Sequence, residues 1–318
     1  MSASITRKRQ GTDGSVGSST WQQLWKYRHF YLFVSPFFIL FSIFGLYPLL
    51  FSLFLSFTKW DGITAIHWAG LYNFQLMIHD ELLWRSLWNT LVIGLLYIPP
   101  MLILAFLFAQ ILNSQWLKFK SLYRAAFFLP AVTPMVVIAV VFSLIFSSER
   151  GVLNYLLLGF NHVLPIFHFK AIHWLDSENW SKVSVAILVV WRWTGYNMVL
   201  MLAGLQAIPI DYYEAAQLDG ASPLQSMRHV TWPLLQPVFR FCLLLSLLGT
   251  LYMFDEVFVL TNGGPGTSST NFGLYLFNLS FTDFKFGYAS CVAYSVAIFV
   301  FGASLAINRL NRRNSEAS

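Results

Sequence analysis

Charge is what this sequence has least of. Asp, Glu, Lys and Arg make up 11% of its 318 residues, where a soluble domain carries about 25%. So few charges cannot cover a water-facing surface, and a mean hydropathy of +0.59 excludes an ordinary soluble domain. Cysteine is nearly missing. Cys242 and Cys291 both sit in apolar stretches and read as small core residues, which argues against a disulfide framework or a cysteine metal site. A glycine-rich loop ending in Lys and Ser or Thr is missing too. The run Asn262-Gly263-Gly264-Pro265-Gly266 lacks the lysine that a nucleotide phosphate would need. The apolar stretches hold no histidine: His29, His67, His79, His162, His168, His173 and His229 all fall outside them. Asp255 and Glu256 form their sole acidic pair. An intramembrane enzyme would want more, so neither catalytic residues nor a metal site is expected. The first twenty residues lack the short apolar run and small-residue cleavage site of a signal peptide. Rich in Ser, Gly and Thr around Arg7, Lys8 and Arg9, residues 1–28 read as a disordered basic tail.

Long apolar runs are what the chain does have. Hydrophobic residues reach 57%, with 31 Phe and 12 Trp. A helical span needs about 20 mostly apolar residues. Stretches of that kind predict six spans, at about 31–57, 87–112, 124–147, 183–206, 239–261 and 287–308. Together they form an all-α, six-helix transmembrane domain over 29–310, with a tail at 311–318. The runs are continuously apolar, whereas barrel strands would alternate. Pro36, Pro48, Pro99, Pro100, Pro130 and Pro134 predict kinked or broken helices within them.

Loop charges set the orientation. With the N-terminus inside, thirteen cations face the cytoplasm: Arg7, Lys8, Arg9, Lys26, Arg28, Lys118, Lys120, Arg124, Arg228, Arg240, Arg309, Arg312 and Arg313. Six face out: Lys59, Arg85, Arg150, Lys170, Lys182 and Lys285. Both termini are therefore expected in the cytoplasm, and the net charge of +6 reflects this bias, with no nucleic-acid partner implied.

Two regions carry candidate function. Between the fourth and fifth spans, Pro209 and Asp211 start a short helix and Gly220 ends it or acts as a hinge. Ser222 and Pro223 suit the first positions of a second short helix, which Pro233 and Pro237 are expected to end. Such a pair fits a projecting element or a plain connecting loop equally well. Inside the fourth span lies Trp191-Arg192-Trp193-Thr194-Gly195-Tyr196-Asn197. An intramembrane Arg either lines a cavity or is satisfied by a partner such as Asp255, Glu256 or helix carbonyls. The aromatic, amide and guanidinium groups of Arg192, Trp193, Tyr196 and Asn197 suit a sugar ring. On the fifth span Ser246, Gly249, Thr250 and Met253 share one helical face, which lines a pathway or packs against another helix.

The segment 209–236 resembles the Glu-Ala-Ala loop of binding-protein-dependent ABC permeases. Glu214-Ala215-Ala216 is followed after three residues by Gly220, and after nine more by Val230-Thr231-Trp232-Pro233. Val230 and Trp232 replace the pattern's Ile and Leu. Leu218-Asp219-Gly220-Ala221 is similar to the carbohydrate-importer branch, and Leu260-Thr261-Asn262-Gly263-Gly264-Pro265 resembles the maltose-transporter first-permease type. The resemblance covers about Tyr31 to Arg309. It implies a MetI-like permease fold in a bacterial inner membrane, paired with a second homologous permease. It also implies two ATPase subunits that bind ATP and Mg, and an extracytoplasmic solute-binding protein that delivers a sugar. Glu214, Ala215, Ala216, Asp219, Gly220 and Pro233 would then contact or shape the ATPase-coupling element. Arg192, Trp193, Tyr196, Asn197, Ser246, Gly249, Thr250 and Met253 would line the substrate pathway. The same architecture also serves non-sugar solutes such as glycerol 3-phosphate.

Overall fold

The computed structural model describes residue 25 and residues 27–114, 116–163 and 169–316. Most of the expected N-terminal tail lies outside those residues. The chain is helical nearly throughout: α1 Arg28–Leu55, α2 Tyr72–Ile78, α3 Glu81–Asn113, α4 Lys120–Val132, α5 Met135–Ile145 and α6 Val152–Val163. There follow α7 Trp180–Gln206, α8 Asp211–Leu218, α9 Pro223–Tyr252, α10 Asp255–Leu260, α11 Phe272–Phe277 and α12 Phe286–Glu316. Two short strands, Thr58–Lys59 and His67–Trp68, pair antiparallel between α1 and α2.

Among the described residues four helices, α1, α3, α7 and α9, are long and apolar enough to cross a membrane. The predicted third span is the pair α4 and α5, bent by 94°. Pro134 lies at the bend as the residue before α5, where it removes a donor and Thr133 takes an extended conformation. The predicted sixth span is α12, whose apolar part, Phe286–Gly302, is shorter. Helix α12 continues to Glu316, so residues 311–316 of the expected tail are helical.

The core is built on α3 and α7, which pack along most of their length. Ile93, Met101, Ala105 and Ala109 of α3 are fully buried with Val185, Leu188, Met198 and Met201 of α7. Helix α4 approaches α7 at Gly195, where an added Cβ would lie 1.7 Å from the Phe127 carbonyl oxygen. Gly195→Ala therefore forces two backbones apart. Its expected cost is about 1–3 kcal/mol, read as a lower melting temperature in detergent. Gly302→Ala, with nothing within 4 Å of the new methyl, is the control and leaves melting unchanged.

The helix through residues 223–252 departs from expectation. Pro233 and Pro237 do not end it. The reason is a π-helical turn over Met227–Thr231, in which the Trp232 N–H bonds the Met227 carbonyl five residues back. The widened turn makes room for the ring of Pro233, which has no N–H to place. The first span repeats the device: a π-helical turn over Ser42–Leu46 precedes Pro48.

At the opposite end from residues 209–236, buried asparagines tie the connecting segments to the bundle. Asn73 donates to the Ser56 and Thr58 carbonyls, and Asn89 to those of Thr267 and Thr270. Asn154 donates to those of Ser148 and Ile172. Asp80 caps α3 by accepting from the Leu83 N–H at 3.0 Å. It also accepts from the hydroxyls of Tyr275 and Tyr288, at 2.6 and 2.7 Å. Burial opposes ionisation of Asp80, but these hydrogen bonds outweigh it and hold the carboxyl below its ordinary range.

Candidate functional site

The projecting segment is the better defined of the two candidates. Helix α8 ends in a Schellman motif: the Ala221 N–H bonds the Ala216 carbonyl at 2.9 Å, and the Gly220 N–H bonds that of Gln217 at 3.0 Å. The motif places Gly220 at φ +79°, a conformation glycine takes without strain. Asp219 caps α8, and the next helix opens with a reciprocal capping box between Ser222 and Gln225. Tyr213 bonds the buried Thr231 hydroxyl at 3.0 Å and pins α8 to the base of α9.

Between the two helices lies a notch of about 400 Å³, lined by Ala216, Asp219, Gly220, Gln225 and His229 among others. Glu214 and Ala215 are exposed, and Ala216 is half-buried. Leu218 is 89% and Leu224 69% exposed, an apolar surface that water alone would not favour. Pro233 opens the α-helical turn after the widened one. The structure thus brings Ala216, Asp219 and Gly220 to one notch, with Glu214 beside it and Pro233 at the helix base.

The intramembrane candidate is assembled differently. Arg192 Nη1 lies 3.1 Å from Glu256 Oε1, with the two side chains 13% and 9% exposed. Trp193 Nε1 donates to the same oxygen at 3.3 Å, and Arg192 Nη1 also meets Met135 Sδ at 3.0 Å. Trp193 and Tyr196 stand edge to face at 5.8 Å, both half-buried. Asn197 donates to the Trp193 carbonyl, while its Oδ1 is buried without a partner.

The predicted face of the fifth span divides. Ser246 and Thr250 are buried against α3, where the Tyr97 hydroxyl donates to the Ser246 carbonyl at 2.9 Å and meets the Thr250 hydroxyl at 2.7 Å. Helix packing occupies both. Gly249 remains exposed, with nothing within 4 Å of where a Cβ would be. Met253 does not continue the face, because α9 stops at Tyr252 and Met253 turns to ψ 119° as its cap. The break is held from outside the span. Asn271 donates to the Met253 carbonyl, and Gly273 packs so close that a Cβ would sit 2.2 Å from it. Sequence reasoning missed Asn271 and Gly273, whose only local signal is a polar and a small residue before an apolar helix. Among the described residues there is no group of three His, Cys, Asp or Glu side chains that could hold a metal.

A polytopic helical bundle with a rigid helix pair projecting from one end has the architecture of a membrane transport subunit. Residues 102–316 match the family described as the inner membrane component of binding-protein-dependent transport systems. The chain is 37% identical over 273 residues to the lactose transport system permease protein LacF of Rhizobium radiobacter, covering 85% of this chain and 89% of that one. It is 30% identical over 305 residues to the arabinooligosaccharides transport system permease protein AraP of Bacillus subtilis (strain 168), covering 93% and 95%. Among solved structures it superposes on a chain of a bacterial alginate ABC transporter in complex with an alginate pentasaccharide-bound periplasmic protein. The TM-score is 0.78 at 22% identity, over 93% of this chain and 98% of that one. The chain belongs to the family of inner membrane components of binding-protein-dependent transport systems, and its fold is that of an ABC transporter permease.

Proposed function

We propose that this chain is one of two homologous permeases that form the pathway of an ABC importer for a sugar or oligosaccharide. One ATPase subunit docks on residues 209–236 and a second on the other permease, the two hold the ATP and Mg, and an extracytoplasmic binding protein delivers the solute to the opposite end. Both termini then lie in the cytoplasm, and the chain performs no catalysis of its own. The observation that carries this reading is the helix pair closed by Gly220 and Ser222, which presents Glu214, Leu218 and Leu224 to solvent. A rigid element with exposed apolar side chains receives motion from another chain without dissipating it. The names of the lactose and arabinooligosaccharide relatives support a saccharide as cargo.

In the pathway, Trp193 and Tyr196 offer ring faces to a sugar, and the exposed Gly249 offers space. Ser246 and Thr250 position that surface from behind. An anionic solute such as glycerol 3-phosphate is less well served, since Glu256 already neutralises Arg192.

Proteoliposomes carrying the four-subunit complex test the proposal. Lactose and arabino-oligosaccharides are offered with the cognate binding protein. ATP-dependent accumulation of a saccharide is the expected result. Stimulation of ATP hydrolysis by glycerol 3-phosphate and by no saccharide would overturn it.

A further inference from the structure

A groove of about 810 Å³ runs between α3, α4 and α7. Its walls are almost wholly apolar, from Leu96 and Pro100 past Leu104 to Phe108 on α3, with Phe127 of α4 and Ile187 of α7 opposite. From Leu96 to Phe108 the helix rises roughly 18 Å, close to the length of an extended acyl chain. On α4 the lining residues Tyr123, Phe127 and Pro130 form one row, and Lys120 extends that row toward the helix start.

The chain around the start of α4, just before the groove-lining Tyr123, is cationic. Lys118, Lys120 and Arg124 fall within seven residues of the chain. Among the described residues none of them has an ion pair or a side-chain hydrogen bond, and Arg124 Nε is buried without a partner. A buried N–H without an acceptor is costly, although the Arg124 side chain as a whole is only half-buried. Helix α4 also begins without a side-chain cap, so its free N–H groups and Lys120 place positive charge on positive charge. An anion at this point would satisfy all three features. Beside it, Trp116 is 95%, Phe119 75% and Leu122 67% exposed, side chains that settle where headgroups meet hydrocarbon.

We propose that this groove binds one anionic phospholipid, with an acyl chain along α3 and α7 and its phosphate at Lys118, Lys120 and Arg124. The ligand must be apolar over most of its length and anionic at one end, which no sugar cargo is. The site is therefore separate from the pathway and does not depend on what the transporter carries.

Native mass spectrometry of the assembled complex, exchanged into mixed phosphatidylglycerol and phosphatidylcholine nanodiscs, tests the proposal. Wild type is expected to keep phosphatidylglycerol on ejection. The triple variant Lys118→Gln, Lys120→Gln, Arg124→Gln should keep at least roughly tenfold less. Ala126→Phe, which fills the groove and leaves the charges, should lose it as well. Equal retention of phosphatidylcholine by wild type would overturn the proposal, as would unchanged phosphatidylglycerol in either variant. A disulfide between Ala126→Cys and a cysteine placed on the second permease, formed in native membranes, would show the groove filled by protein and would also overturn it.

Discussion

Gly220→Pro cuts ATP-driven uptake severely and releases the ATPase subunits, while the chain still inserts in the membrane. The Schellman turn that closes α8 needs φ +79° at this position, and proline is fixed near −65°. It also needs the Gly220 N–H, which donates to the Gln217 carbonyl at 3.0 Å, and proline has none. The first helix of the projecting pair then loses its end, and the notch between the pair changes shape. Uptake should fall to roughly a hundredth of wild type, the scale on which a misplacement of about 1 Å disables a geometry-dependent step. Asparagine tolerates the left-handed region better than other side chains, so Gly220→Asn keeps most of the uptake. No Cβ clash opposes it, since nothing lies within 4 Å. Uptake and ATPase co-purification are measured together. Normal values for both in Gly220→Pro would remove this loop from energy coupling.

That turn was legible because its determinants are local. Pro209, Asp211, Gly220 and Ser222 act on backbone within four residues of themselves: α8 starts at Asp211, though without a side-chain cap, its closing turn forms at Gly220, and the capping box forms at Ser222. Four of the six predicted spans, and a fifth as the bent pair, were legible for a similar reason, since hydropathy is a property of a continuous window. Of their interruptions the bend at Pro134 was legible, and two others were not. The end of α9 at Tyr252 depends on Asn271 donating to the carbonyl of Met253, eighteen residues before it. The survival of helix past Pro233 depends on a hydrogen-bond register that shifts by one residue at Met227. Neither leaves a mark in composition. Whether Ser246 and Thr250 faced a pathway or a helix was likewise decided by Tyr97, about 150 residues away in the chain. The tie between Arg192 and Glu256 was among the alternatives the residues allowed, and 64 residues separate its members.

Arg192→Met lowers stability by about 3–5 kcal/mol, because it leaves the Glu256 carboxylate buried without a counter-charge. Glu256→Leu strands the guanidinium and costs a similar amount. The double variant recovers most of the loss, since two apolar side chains replace a charge pair whose own desolvation offset much of its attraction. Melting of the detergent-solubilised complex measures all three.

Uptake by the same variants separates two roles. Arg192 joins α7 to α10, just beyond the break held by Asn271, and the pair therefore braces the head of the fifth span. A brace can be rebuilt from apolar contacts, so uptake in the double variant should return with stability. If melting recovers and uptake does not, Arg192 acts on the solute directly. In that case Trp193 and Tyr196 would share the site with it, and the ring surface proposed for the sugar would gain a charged edge.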